Sequence, residues 1–444
     1  FQLESPAQRA LQARLGARTL EDIVASVALI RPGPIKGNMV EPFIARRKGE
    51  EPITYLHPKL KPILEKTYGV VLFQEQVIEI ATAIAGFSPG EADRLRRVMT
   101  HARSHADMAE IGEVFVAKAR RRGVSRDVAE TIFSYITGYA SYGFCEAHAA
   151  AFGTTAYKTA YLVKHYPAEF YAAMLRHQPM GYYPPNTICN EARRRGIAIL
   201  PPDVNESGED FLVQNGAIRV SLKQVKGMRG DTLRKIMEER ERAPFRSLGN
   251  FCRRVRPNRE VVENLILCGA FDSLHPNRRE ALWRLGDVRS KAEGGLFVME
   301  EEWYAALEDF SEWEKALLEY EVLGLNVKRH FMAYLRPYLA EEGFMDSLGI
   351  KGLPAGRPVR VAGMVIRPYR PPTRSGKVIV FLSLEDEYGL VDVTVFNDVY
   401  ERYGVVIFQD PVPPLEVRGR LERRGNSLSV IAEHISPLRA RVKA

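Results

Sequence analysis

Cysteine is scarce in this chain: 444 residues hold four, Cys145, Cys189, Cys252 and Cys268. They lie far apart and no two are spaced as CxxC, so neither a disulfide framework nor a structural zinc site has support. All four read as reduced thiols. Long hydrophobic runs are missing as well. No apolar stretch approaches the roughly 20 residues that a membrane-spanning helix needs. The opening Phe1-Gln2-Leu3-Glu4-Ser5 has neither the basic start nor the apolar stretch of a signal peptide. The expectation is a cytosolic protein with no membrane partner. The chain opens without an initiator Met and reads as the back half of a longer protein. Common enzyme motifs are also absent: there is no GxSxG, no HExxH, no Walker-type phosphate loop and no GxGxxG after a strand. The acidic stretch from Pro202 to Asp210 lacks the alternation that puts two carboxylates on one strand face, and its Pro and Gly mark a loop rather than a catalytic metal site.

What is present fits several packed domains. The composition is 45% hydrophobic and 27% charged, and the length suits two to four cores at roughly 100–200 residues each. A formal charge of +8 is compatible with a polyanionic partner, although a solvated basic surface gives the same sum. Residues 1–175 read as a mostly helical domain. Its clearest helix start is Ser88-Pro89-Gly90-Glu91, where the Ser hydroxyl caps, Pro takes the first turn and Glu sits three residues after the Ser. The helix that follows places Leu95, Val98 and Met99 on an apolar stripe and groups Arg94 and Arg97 on another side. Residues 176–215 are rich in Pro, Gly and Arg and read as a connector. Short helices are expected over 216–285, and 286–352 reads as a charged linker region with amphipathic segments. From 353 to 444 the pattern changes to period-2 alternation, as in Val391-Asp392-Val393-Thr394-Val395, separated by Gly-containing turns. That predicts a barrel of about five strands.

Four segments converge on a family. Arg31-Pro32-Gly33-Pro34, Tyr68-Gly69-Val70-Val71-Leu72-Phe73-Gln74-Glu75-Gln76, Ala92-Asp93-Arg94-Leu95-Arg96-Arg97 and Tyr142-Gly143-Phe144-Cys145-Glu146-Ala147-His148, in this order, resemble the fingers of the bacterial C-family replicative DNA polymerase, the alpha subunit of DNA polymerase III. The resemblance continues through Lys164-His165-Tyr166-Pro167-Ala168-Glu169-Phe170 and Ile199-Leu200-Pro201-Pro202-Asp203 into the barrel, and so covers essentially the whole chain. The segment Leu175 to Pro185 is similar to the error-prone second form of that family, and Glu146 stands where the main replicase usually has Lys.

The resemblance implies a multi-domain fold: mostly α fingers over 1–175, a connector over 176–215, a helix-hairpin-helix duplex-binding domain over 216–285, a region of possible clamp contact over 286–352, and an OB-fold over 353–444. It implies DNA replication or error-prone repair synthesis by the intact protein, with deoxynucleoside triphosphates and primer-template DNA as partners. The family's palm, with its three metal-binding aspartates, precedes the region matched. Mg²⁺ is therefore expected on residues outside this stretch, which alone should not polymerise.

By the same resemblance Arg96 and Arg97 would contact the nucleotide triphosphate, a use suited to the guanidinium fork. Arg31 and His148 are further candidates for nucleotide binding, with a simple turn and a packed imidazole as their bland counterparts. In Val225 to Leu233, Lys226, Gly227 and Arg229 would meet duplex phosphate, with Arg229 at the position where the family's hairpin usually has a second Gly. The alternative is an ordinary helix connection. Leu296 and Phe297 keep the apolar end of a clamp-binding peptide but Glu293 replaces its Gln, leaving contact with a sliding clamp or clamp-binding adaptor beside a plain linker. In the barrel, Arg370, Arg374 and Lys377 are the best candidates for single-stranded template, with Arg367, Phe381, Tyr388 and Phe396 behind them because alternate barrel residues point inward. A stand-alone, non-catalytic DNA-binding accessory is the chief rival reading, and a scaffold for partner proteins the third.

Overall fold

The computed structural model describes residues 3–30, 39–100, 105–139, 144–181, 183–292, 307–371, 373, 376–409, 412–424 and 427–439. Two compact units divide the chain, residues 1–161 and 162–444.

The first unit is helical, and several of its helices begin where short polar side chains take the unpaired N–H groups of a first turn. Helix α1 (Pro6–Leu15) is capped by Ser5, and α2 (Leu20–Leu29) by a reciprocal pair, Thr19 and Asp22. After α3 (Val40–Lys48), a run of helical turns over 58–67 leads to α4 (Gln74–Ile80), which continues into a π-helical turn at Ala81–Ala85. Helix α5 (Pro89–Thr100) starts as the sequence predicts. The Ser88 hydroxyl accepts from Glu91 N–H at 3.4 Å, and Ser88 N–H donates to the Glu91 carboxylate at 2.8 Å. Leu95 and Met99 are buried, and Val98 packs against the same core. Helices α6 (His105–Arg121) and α7 (Arg126–Tyr139) complete that core through Ile111, Phe115, Ile132 and Ile136. A second core joins α1, α2 and α3 to Val70, Leu72, Phe73 and to Ala149 of the long helix α8 (Glu146–His165).

In the second unit, α9 (Pro167–Arg176) and α10 (Pro185–Arg194) precede a small sheet ordered β1-β3-β2, formed by Ile199–Leu200, Ala217–Arg219 and Leu212–Gln214. Residues 176–215 therefore contain a helix and most of a sheet: Ile188, Cys189 and Ala192 of α10 are buried in the same core as the helices that follow. Those are α11 (Gly230–Arg242), α12 (Leu248–Val255), α13 (Arg259–Leu267) and α14 (Arg278–Ala292), with α15 (Glu312–Leu323) packed on them through Val322 and Leu323. Buried Arg278 ties α15 in place by donating to Asp272 at 2.8 Å and to buried Glu319 at 3.0 Å. A guanidinium held in the interior needs such partners.

After α16 (Phe331–Glu341) the chain forms the barrel: β4 (Pro358–Tyr369), β5 (Val380–Glu385), β6 (Leu390–Val395), helix α17 (Asn397–Ile407), β7 (Leu415–Arg424) and β8 (Ser427–Pro437). The order β4-β5-β6-β8-β7 closes because β4 pairs with β5 along one half and with β7 along the other. Strands β6 and β8 run parallel, and the other pairs are antiparallel. At the irregularity between Arg418 and Gly419 a Cβ on Gly419 would come within 2.0 Å of the Ile431 carbonyl, so only glycine fits there.

A buried polar seam joins barrel and helices. Glu385, fully buried at the end of β5, accepts from Asn190 Nδ2 at 3.0 Å and from Arg194 at 3.0 Å. His330 takes the Met332 N–H on Nδ1 and turns Nε2 toward the same carboxylate at 3.8 Å. Beside them Arg336 binds Glu387 at 2.8 Å and lies 3.5 Å from Asp386. No helix among the described residues is long and apolar enough to cross a membrane.

Candidate nucleic-acid and nucleotide interface

Helix α5 buries Ala92, Leu95 and Met99, which turns its arginines outward. One carboxylate serves two of them. Asp93 Oδ1 accepts from Arg96 Nε and Nη2 at 3.0 and 2.8 Å, and Asp93 Oδ2 lies 2.7 Å from Arg97 Nη2. The i+3 and i+4 spacings bring both guanidiniums over the same residue. Arg97 is the more open, its side chain 70% exposed against 38% for Arg96. The hydrogen bond from Arg96, with that from Arg97, holds the Asp93 carboxyl below its ordinary value. At the head of the helix, Lys118 and the Ser88 cap hold Glu91 down at about 2. Arg94 turns away to Glu110 at 3.3 Å. The sequence pointed to the arginines and not to Asp93, although the spacing could have shown it.

The first turn of α8 carries His148, which is exposed and lies between two phenyl rings, with centroid distances of 5.2 Å to Phe144 and 4.6 Å to Phe152. Glu146, the position of reversed charge, does not stand alone: Lys66 Nζ sits 2.7 and 2.8 Å from its two oxygens. The cation at this turn thus comes from a distant part of the sequence.

The segment between Val225 and α11 is a hairpin. Val225 is buried, while Lys226, Gly227 and Arg229 are exposed. Gly227 has φ +79°, the left-handed region where a side chain is strained. Arg229 has φ −102° and ψ 154°, an extended conformation open to any residue, which explains why this position accepts a side chain. Lys226 is anchored through its backbone, donating to the Val322 carbonyl at 3.1 Å and accepting from Asn264 Nδ2 at 2.9 Å, so that only its ammonium faces outward. A Cβ on Gly227 would meet the Glu260 carboxylate at 3.6 Å, which sets the α12–α13 turn beside this hairpin. Exposed Arg253 lies in the last turn of α12 and exposed Arg256, with φ +54°, just after it. The run Arg253 to Arg259 was not singled out in the sequence, though its arginines around Pro257-Asn258 were visible there.

On the barrel, Phe381 is 42% exposed and Phe396 41%, so neither is an interior residue. Phe381 stands between buried Val380 and Leu382 and opposite Tyr369 on β4, which puts two aromatic rings on one outer face. Tyr388 is exposed as well. Arg370 lies over Tyr400, 5.5 Å from its centroid, and Lys377 is exposed. Arg31, Arg374, Leu296 and Phe297 lie outside the described residues, as does the side chain of Arg367. Asp203, in the acidic stretch considered above, accepts from the N–H groups of Asn205 and Glu206 within its own loop. No group of three or more His, Cys, Asp or Glu among the described residues is arranged to hold a metal ion.

Residues 1–123 match the family model of the bacterial DNA polymerase III alpha subunit finger domain, 196–281 that of a helix-hairpin-helix motif, and 359–438 that of an OB-fold nucleic acid binding domain. Over 98% of its length the chain is 54% identical to the error-prone DNA polymerase of Symbiobacterium thermophilum, covering 45% of that protein. Over 99% it is 41% identical to the error-prone DNA polymerase of Anaeromyxobacter dehalogenans and 38% to that of Pseudomonas aeruginosa, covering 40% and 43% of them. The chain spans less than half the length of the curated relatives it matches. With matches to the bacterial DNA polymerase III alpha subunit finger domain, a helix-hairpin-helix motif and an OB-fold in this order, the chain is similar to part of the error-prone DNA polymerases.

Proposed function

We propose that this chain holds the substrates of a template-directed DNA polymerase that adds nucleotides to a primer 3′ end, in replication or in error-prone repair synthesis. One observation carries the reading: two guanidiniums, gathered by a single carboxylate on the outer side of a finger-domain helix. A triphosphate offers several oxygens in the geometry that guanidinium forks bind, and carries more negative charge than the aspartate it would displace. Arg96 and Arg97 take the triphosphate, with His148 close to the primer end or a phosphate, and Arg31 belongs to the same set. Lys226, Gly227 and Arg229, with Arg256 beside them, take duplex phosphate. The outer barrel face with Tyr369 and Phe381, and the turn of Arg370, Arg374 and Lys377, take single-stranded template by stacking and charge. A sliding clamp or clamp-binding adaptor would meet Leu296 and Phe297.

Two-metal phosphoryl transfer needs carboxylates to hold Mg²⁺ between the primer hydroxyl and the phosphates. The described residues offer no such set, and Mg²⁺ is assigned to residues outside this stretch. Primer extension with Mg²⁺ and all four nucleotides tests the proposal, using the chain alone beside a version joined to the upstream sequence of its gene. Extension by the joined version only is the expected result. Extension by the chain alone would mean a metal site within it, and DNA binding without extension by either would favour a non-catalytic accessory.

A further inference from the structure

The segment Phe73-Gln74-Glu75-Gln76 is built as a bracket around the start of α8, and the proposed substrate contacts leave it unused. Gln76 is fully buried, and its amide is used on both sides. Its carbonyl accepts from Leu72 and Phe73 N–H at 2.8 and 3.0 Å, and its NH₂ donates to the Ile63 carbonyl at 3.2 Å and to Thr67 Oγ1 at 2.8 Å. A buried amide so satisfied fixes the backbone around it. That backbone grips the chain ahead of α8: Gln74 N–H donates to the Phe144 carbonyl at 3.0 Å, and Phe73 and Phe144 form a parallel bridge. Glu75 then reaches the helix itself. Its carboxylate accepts from Glu146 N–H at 2.9 Å and from Cys145 Sγ at 3.2 Å. The first N–H of α8 is thus capped by a side chain 71 positions earlier in sequence, where helices usually rely on a neighbour.

Phe144, whose ring packs edge-on against the His148 imidazole, lies inside this bracket. We infer that Glu75 is a positioning residue for nucleotide use: by fixing the first turn of α8 it sets where the His148 imidazole is presented to the incoming nucleotide. The inference rests on the assignment of His148 to the nucleotide site. Glu75 touches no substrate, and its effect passes through the capped N–H.

The test uses the full-length polymerase containing this chain, with Glu75→Ala, Glu75→Asp and Glu75→Gln beside His148→Ala. Aspartate keeps the charge but is one methylene short of the N–H, whereas glutamine keeps the reach and an acceptor oxygen. Loss of the hydrogen bond to Glu146 N–H predicts a nucleotide KM raised by about fivefold or more in the Ala and Asp variants, with kcat within about twofold and the Gln variant, which keeps an acceptor within reach, near the parent. Amide exchange over 145–148 should accelerate in the same two variants and not in the third. Should Glu75→Ala fail to fold, the Asp and Gln pair still separates reach from charge. A KM unchanged in Glu75→Asp while His148→Ala raises it overturns the inference alone. A KM unchanged in His148→Ala overturns the assignment of His148 beneath it.

Discussion

Arg96 and Arg97 share one half-exposed aspartate, and that shared ion pair is a weak competitor for a new anion. Exposed ion pairs contribute about 0–1 kcal/mol each, whereas charge-assisted hydrogen bonds to a bound ligand are worth roughly 1.5–3 kcal/mol. Steady-state kinetics of the full-length enzyme should therefore show nucleotide kcat/KM lower by about 10- to 100-fold in Arg96→Ala and in Arg97→Ala. Unchanged values in both would remove the arginine pair from the nucleotide site. A second residue-scale expectation concerns acid. Burial alone would raise the Asp22 carboxyl, but hydrogen bonds from Arg47, at 2.6 Å, and from the N–H groups of Arg18 and Thr19 outweigh it and bring it down to about 2. A depressed carboxyl lends stability that is complete above its unfolded value, 3.8, and is lost as pH falls through about 2. That stability amounts to about 2 kcal/mol. Melting of the chain between pH 5 and 2, by roughly those limits, should fall less steeply for Asp22→Asn than for the parent. Sequence made the arginines legible and left their surroundings dark for different reasons. Asp93 was within one helical turn and readable by spacing, whereas the Glu75 to Glu146 contact spans 71 positions, which no local pattern reports.

The hairpin element presents Lys226 and Arg229 without side-chain partners among the described residues, and its backbone is fixed from behind by Val322 and Asn264. Each phosphate contact adds about 0.9 to the slope of log K against log salt on duplex DNA. Arg229→Ala should lower that slope by about one and weaken binding equally for all sequences. A slope that does not move would place the DNA elsewhere on this unit. Elements were the best-read level of the chain. The Ser88 cap and the alternation of the barrel strands stand in the structure as expected, because both depend on neighbours within a few residues. The stretch 176–215 is harder. Its prolines and arginines suggest a linker, yet α10 joins the core with only three buried apolar residues, Ile188, Cys189 and Ala192.

At the scale of the whole second unit, the Glu385 seam decides how the barrel is held to the helices. Burial raises the Glu385 carboxyl, but His330, Arg194 and Asn190 outweigh it and hold it below its ordinary value. Its contribution is present above the unfolded value and is lost as pH falls through the lower, folded one. Glu385→Ala leaves Arg194 and Asn190 facing a void, and breaking such a buried pair costs about 3–5 kcal/mol. Calorimetry should then resolve a barrel transition at lower temperature than that of the helices of the same unit, with the two expected to melt together in the parent; barrel and helices still melting together at an unchanged temperature would make the seam incidental. The barrel's closure has a consequence of its own. Among the described residues a sheet whose last strand pairs with its first has no edge strand, so an extended peptide or a second copy finds no open edge to pair with through the backbone. Whatever this domain grips, it grips with side chains and turns, and a chain threading past can slide off again without unpicking a ladder.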